Sequence, residues 1–143
     1  MTEPLKVFFL CTQNSCRSQM AEGWARHLKK GVIEAFSAGT APAAVHPLAV
    51  RVMAEAGVDI SGQRSKSIEE FRGQDFDAVI TLCDEARESC PVPPPARKVV
   101  HHSFPDPAKN EGSEEEVLAT FRRVRDLLRD FVAGLPENLD VGR

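Results

Sequence analysis

The chain has 143 residues, the size of one domain and long enough to bury a core. Hydrophobic residues make up 42% and charged residues 27%, the balance of an ordinary globular protein. A net charge of −3 gives no general electrostatic reason to bind nucleic acid or an acidic membrane surface, so an anionic ligand must draw its positive charge from a local site.

"LKVFFL" (5–10) reads as a strand, followed at once by a cysteine-containing loop. Met20, Ala21, Trp24, Ala25 and Leu28 then recur at helical spacing, which predicts an amphipathic helix over about 16–30. "VIEAFSAG" (32–39) is a second strand closed by Gly39. Pro47 opens a helix with Leu48, Val52, Met53 and Ala56 on one face, and Gly57 ends it. Ser67 and Glu70, at capping-box spacing, start a short helix. "DAVITL" (77–82) and "KVVHHSF" (98–104) supply the third and fourth strands. Ser113 and Glu116 cap a long helix striped by Val117, Phe121, Val124, Leu128 and Phe131, which Gly134 stops. Residues 135–143 are expected to be a loose tail. Strands alternate with helices, so the chain is expected to form a single α/β domain (1–143). Its four-stranded, mostly parallel sheet would carry helices on both faces, with ligands at the carboxyl ends of the strands.

No segment approaches the roughly 20 apolar residues of a membrane span. "MTEPLK" lacks the basic start and apolar run of a secretory signal. The cytoplasm is therefore the expected location. In that compartment Cys11, Cys16, Cys83 and Cys90 point to catalysis, redox chemistry or metal binding rather than a permanent disulfide framework.

"LCTQNSCRS" (10–18) places Cys-x5-Arg-Ser between a strand and a helix. A short loop entering a helix amino terminus offers several backbone N–H groups to a tetrahedral oxyanion, and Arg17 can add a bidentate contact. The same positive field favours a thiolate at Cys11, to which Ser18 can donate a hydrogen bond. The loop has no glycine, so any left-handed position falls most naturally on Asn14.

This segment resembles the active-site loop of the low-molecular-weight protein tyrosine phosphatases and of the arsenate reductases that share their fold. The resemblance implies Cys11 as nucleophile and Thr12, Gln13, Asn14, Ser15, Cys16 and Arg17 as the anion cradle. Ser18 joins them as the thiolate's partner. Cys16 itself is read as a packed or auxiliary thiol.

Cys83 and Cys90 bear on which of the two activities applies. Seven positions apart, they share one face of an intact helix with a rise of roughly 10 Å between them. A disulfide needs Cα atoms within about 7 Å, so bonding the pair requires the intervening turns to unwind. Pro91 blocks helix continuation and "PVPPP" is a stiff connector. Ester hydrolysis needs neither thiol.

"FSAGT" (36–40), "DIS" (59–61), "TLCDEA...CP" (81–91) and "FPDPA" (104–108) extend the similarity to the thioredoxin-coupled arsenate reductases over nearly the whole chain. On that resemblance Cys11 attacks arsenate held by the loop and Arg17, with Asp106 as general acid. Cys83 then resolves the adduct, Cys90 resolves Cys83, and thioredoxin reduces the resulting Cys83–Cys90 pair. Phosphate or sulfate would compete for the cradle, and a monomer is expected. His101 and His102 are read as strand or surface histidines.

Some relatives hold potassium at positions corresponding to Asn14, Glu22 and Ser37 plus an acidic residue near 66. Here that position is Lys66, so no cofactor is expected and the ammonium is read as replacing the cation. Competing readings are a tyrosine phosphatase, disfavoured by a chain without tyrosine, and a four-cysteine zinc or arsenite-binding module. A reductase coupled to glutaredoxin or mycothiol would manage with fewer protein thiols.

Overall fold

A computed structural model describes residues 3–82, 96–109 and 111–140. Cys83 and Cys90, the helix expected between them and the end of the tail lie outside the described residues. Among the described residues, four strands, β1 (Leu5–Leu10), β2 (Ile33–Ala38), β3 (Phe76–Thr81) and β4 (Ala96–His101), form one sheet in the order β2-β1-β3-β4. All three pairings are parallel. Strand β1 is central, and Val7, Phe8, Phe9 and Leu10 are fully buried, as a strand covered on both faces must be. The edge strand β4 instead alternates between half-buried and exposed positions.

Among the described residues, three α-helices, α1 (Arg17–Leu28), α2 (Pro47–Glu55) and α3 (Glu114–Ala133), cover one face. Val7 and Phe9 of β1 meet Met20, Trp24, Val52, Met53, Phe121 and Leu128 in the main core there. The other face is covered by the short 3-10 helix Ile68–Phe71, whose Phe71 packs with Phe8 and Phe76. Helix α1 is held to α3 by the Trp24 indole, which donates to the Arg125 carbonyl at 3.0 Å. Ser113 and Glu116 form the expected capping box on α3. No helix among the described residues is long and apolar enough to cross a membrane.

The expected loose tail is corrected over its first part. Leu135 is fully buried, residues Glu137–Asp140 form a 3-10 turn, and the Asn138 amide donates to the Phe131 carbonyl at 2.9 Å. That bond adds a second donor to a carbonyl in the last turn of α3, which also accepts from the Gly134 amide, and a run of polar letters does not reveal it.

Candidate active site

Strand β1 delivers Cys11 to the carboxyl edge of the sheet, and the chain turns through residues 12–16 into α1. Asn14 has φ of 52°, the left-handed position expected of it. The loop is pinned from outside. Carbonyls of Thr12, Gln13 and Ser15 accept from the amides of Ala41, Ala43 and His46 at 2.9, 3.2 and 3.0 Å. No protein group among the described residues accepts from the amides of Gln13, Asn14, Ser15 or Cys16. These four are the donors available to an oxyanion.

Cys11 is 2% exposed, and its Sγ lies 2.9 Å from Ser18 Oγ. Asn14 Nδ2 donates to that hydroxyl at 2.7 Å, which leaves the hydroxyl proton free to point at sulfur. Asn14 is held in turn. Its Oδ1 accepts from Gln19 Nε2 at 2.9 Å and from the Lys66 amide at 2.8 Å. Gln19 is itself fully buried and accepts from Gln63 at 2.7 Å. Every bond in this chain runs in the direction that supports a negative sulfur.

Arg17 is 4% exposed. Its Nη1 donates to the Phe104 carbonyl at 3.2 Å and the Leu82 carbonyl at 3.4 Å, and Nη2 lies 3.7 Å from Asp106 Oδ2. Asp106 Oδ1 accepts from the Ala108 amide at 3.0 Å, the turn chemistry of an Asp-Pro segment. Cys11, Thr12, Gln13, Ser15, Cys16, Arg17, Asp106 and Lys109 line one cavity of about 110 Å³. Fold and loop thus bring the cradle, Cys11, Arg17 and Asp106 together at one rim.

Cys16 lines the cavity but is chemically quiet. Burial pushes its thiol up to about 12, with the Asp106 and Cys11 charges adding to the rise against Ser15 and Arg17. His101 Nδ1 lies 2.7 Å from Thr81 Oγ1, and His102 stacks on Phe104 at 4.6 Å between ring centroids. Neither histidine lines the cavity. Among the described residues, no three His, Cys, Asp or Glu side chains gather closely enough to hold a metal ion.

Three contributors had no sequence signal of their own. Gln19 and Gln63 brace the loop across 44 residues of chain, and Lys109 enters the cavity lining from the turn after Asp106. Only the backbone amide of Lys66, not its side chain, touches Asn14.

Residues 6–142 match the family model described as low molecular weight phosphotyrosine protein phosphatase. The chain belongs to that family. Within it, an arsenate reductase of Bacillus licheniformis is 51% identical over 131 residues, 92% of this chain and 94% of the relative. A solved arsenate reductase in its phosphate-binding state superposes with a TM-score of 0.78 at 38% identity, covering 95% of this chain and 99% of that one. A thioredoxin-dependent arsenate reductase of Corynebacterium glutamicum gives 0.60 at 28% identity, over 90% of this chain and 62% of that one. The chain therefore falls among the arsenate reductases of this family.

Proposed function

We propose that this protein reduces arsenate to arsenite through a relay of three cysteines recharged by thioredoxin. The observation that carries the chemistry is the Gln19–Asn14–Ser18–Cys11 chain beneath a cavity lined by Arg17 and Asp106. The cavity's small size and its lining, which has no aromatic group among the described residues, favour a free tetrahedral ion over an aryl ester.

In this reading Cys11 Sγ attacks arsenic while the loop amides and Arg17 hold the oxygens. Asp106 gives a proton to the departing oxygen, which leaves as water. The Cys83 thiolate then attacks Cys11 Sγ. The sulfur–arsenic bond breaks with its electron pair staying on arsenic, which departs as arsenite, and a Cys11–Cys83 disulfide forms. Cys90 attacks Cys83 and frees Cys11, and thioredoxin reduces the Cys83–Cys90 disulfide. This chain's own sequence supplies cradle, acid and thiols, which supports a monomer as the catalytic unit.

The surroundings of Glu22 support a reading without potassium beside this loop. Lys66 Nζ stands 3.5 Å from Glu22 Oε1 and donates to the Arg64 carbonyl at 2.9 Å. Ser37 Oγ already donates to Glu22 Oε1, and Asn14 Oδ1 already accepts two hydrogen bonds. We infer that the Lys66 ammonium steadies Glu22 in place of a bound cation. Activation of turnover by potassium, lost in Glu22→Gln, would overturn that inference.

The test of function is NADPH oxidation with thioredoxin and thioredoxin reductase, before and after arsenate. Arsenate-dependent turnover that disappears in Cys83→Ser and Cys90→Ser is expected. Hydrolysis of an aryl phosphate with no arsenate turnover would make the protein a phosphatase.

A further inference from the structure

Charge in the cavity over Cys11 is poorly matched to a multiply charged anion if only the cradle is counted. The lining holds one guanidinium, Arg17, and one carboxylate, Asp106, 3.7 Å apart. Arg17 Nη1 is also occupied by two backbone carbonyls. An oxyanion entering as a dianion therefore meets at most one positive side chain of the cradle on its way to Cys11 Sγ at the floor. Among the described residues, the one further charged residue in the lining is Lys109. It closes the 3-10 turn Pro107–Lys109, where its amide donates to the Asp106 carbonyl at 3.2 Å. That turn fixes the acid and the ammonium-bearing residue relative to each other, with Asp106 half-buried toward Arg17 and Lys109 exposed at the cavity's edge. Among the described residues, Lys109 is in no ion pair, whereas Arg26, Arg64 and Lys66 near the loop are each matched to a carboxylate.

We propose that Lys109 is a substrate-capture residue of this site, drawing inorganic oxyanions in as dianions by adding a second positive charge to that of Arg17. The inference rests on the oxyanion reading above and assigns it a specificity device. Loop amides recognise tetrahedral shape, and the ammonium adds selection for charge. Being exposed, it acts at short range and is screened by salt, so its signature is an affinity that falls with ionic strength.

The experiment titrates inorganic phosphate, a redox-inert probe, into the reduced full-length protein by calorimetry. Wild type, Lys109→Met and Lys109→Arg are compared at about 20 mM and about 200 mM salt, which changes the screening length severalfold. Lys109→Met is expected to weaken phosphate binding roughly three- to tenfold at the lower salt. The gap should narrow at the higher salt, and Lys109→Arg should bind like wild type. In the arsenate assay, KM should rise by a similar factor with kcat altered less than about twofold. Lys109→Met binding with wild-type affinity and salt dependence would overturn the proposal, as would Lys109→Arg binding as weakly as Lys109→Met. Wild type that binds no phosphate would remove the oxyanion reading and this inference with it. Salt-sensitive, Lys109-dependent phosphate binding without arsenate turnover would uphold the inference and sink only the redox assignment.

Discussion

Asn14 combines two requirements that rarely meet in one residue. It tolerates a left-handed backbone, and its amide connects the Ser18 hydroxyl to Gln19 and Lys66. Ser18 is the point where this chain reaches sulfur. Ser18→Ala removes one charge-assisted bond to Cys11 and leaves the backbone undisturbed. Alkylation of Cys11 by iodoacetamide at neutral pH is expected to slow about three- to tenfold, since a less stabilised thiolate is partly compensated by a more nucleophilic one. An unchanged rate would mean the 2.9 Å contact does not act on the thiolate. Cys16, raised to about 12 chiefly by burial, stays protonated across the working range. Peptide mapping of the alkylated native protein should find label on Cys11 at least roughly tenfold ahead of Cys16. Here the sequence was highly informative, because the loop's chemistry is confined to eight consecutive residues. What it did not reveal is the bracing by Gln19 and Gln63, since two glutamines 44 positions apart follow no period and match no motif.

Between elements, close approach of backbones sets the site's geometry. A Cβ on Gly39 would stand 2.3 Å from the Thr12 carbonyl oxygen and 2.7 Å from that of Cys11. Gly39→Ala must therefore push the segment after β2 away from the loop it pins. A destabilisation of about 1–3 kcal/mol is expected, with weaker phosphate binding. Chemical denaturation and calorimetry would check both. Helix α2 is clamped to α3 by Glu55, which accepts from Arg122 at 2.9 and 2.8 Å and from Arg125 at 3.2 Å. The Arg122 bond in particular holds the Glu55 carboxyl near 2, below its usual 4.5. A depressed folded value stabilises the protein above the unfolded pKa and is lost as pH falls through the folded one. Melting curves of Glu55→Gln should thus lie below wild type at neutral pH, and the gap should close between about pH 5 and pH 2. A gap that persists at pH 2 would assign the effect to packing. Helices α2 and α3 were legible because each buries one stripe at helical spacing, and α1 because its apolar residues keep that spacing although Arg17 to Ala25 are all buried. The fourth strand was read as 98–104 and forms over Ala96–His101, yet the amides of His102 and Phe104 still bond to the Thr81 and Leu82 carbonyls. The apolar pattern followed the chain's course beside β3 and not the formal limit of the strand.

At the scale of the molecule, the cavity is where segments far apart in sequence end together. Cys11 and the loop follow β1, residues 41–46 follow β2, Leu82 follows β3 and Asp106 follows β4. A parallel sheet brings all four carboxyl ends to one rim, so the site's location followed from strand–helix alternation alone. The contacts made across that rim did not, because Arg17 meets backbone carbonyls whose side chains carry no signal. Loading the cavity should therefore tie the ends of the strands together through Arg17. A ligand bound only by the folded state stabilises it by about 2.7 kcal/mol at a hundred times its dissociation constant. For a domain of this length that corresponds to a rise in Tm of roughly 8 °C with phosphate. Arg17→Lys retains the charge but loses the planar fork and its reach to the Leu82 and Phe104 carbonyls. Most of the rise should disappear in that variant at the same phosphate concentration. If Arg17→Lys gains as much stability as wild type, the loop amides alone hold the ion. Arg17 would then contribute to the fold and to the chemical step, but not to loading the site.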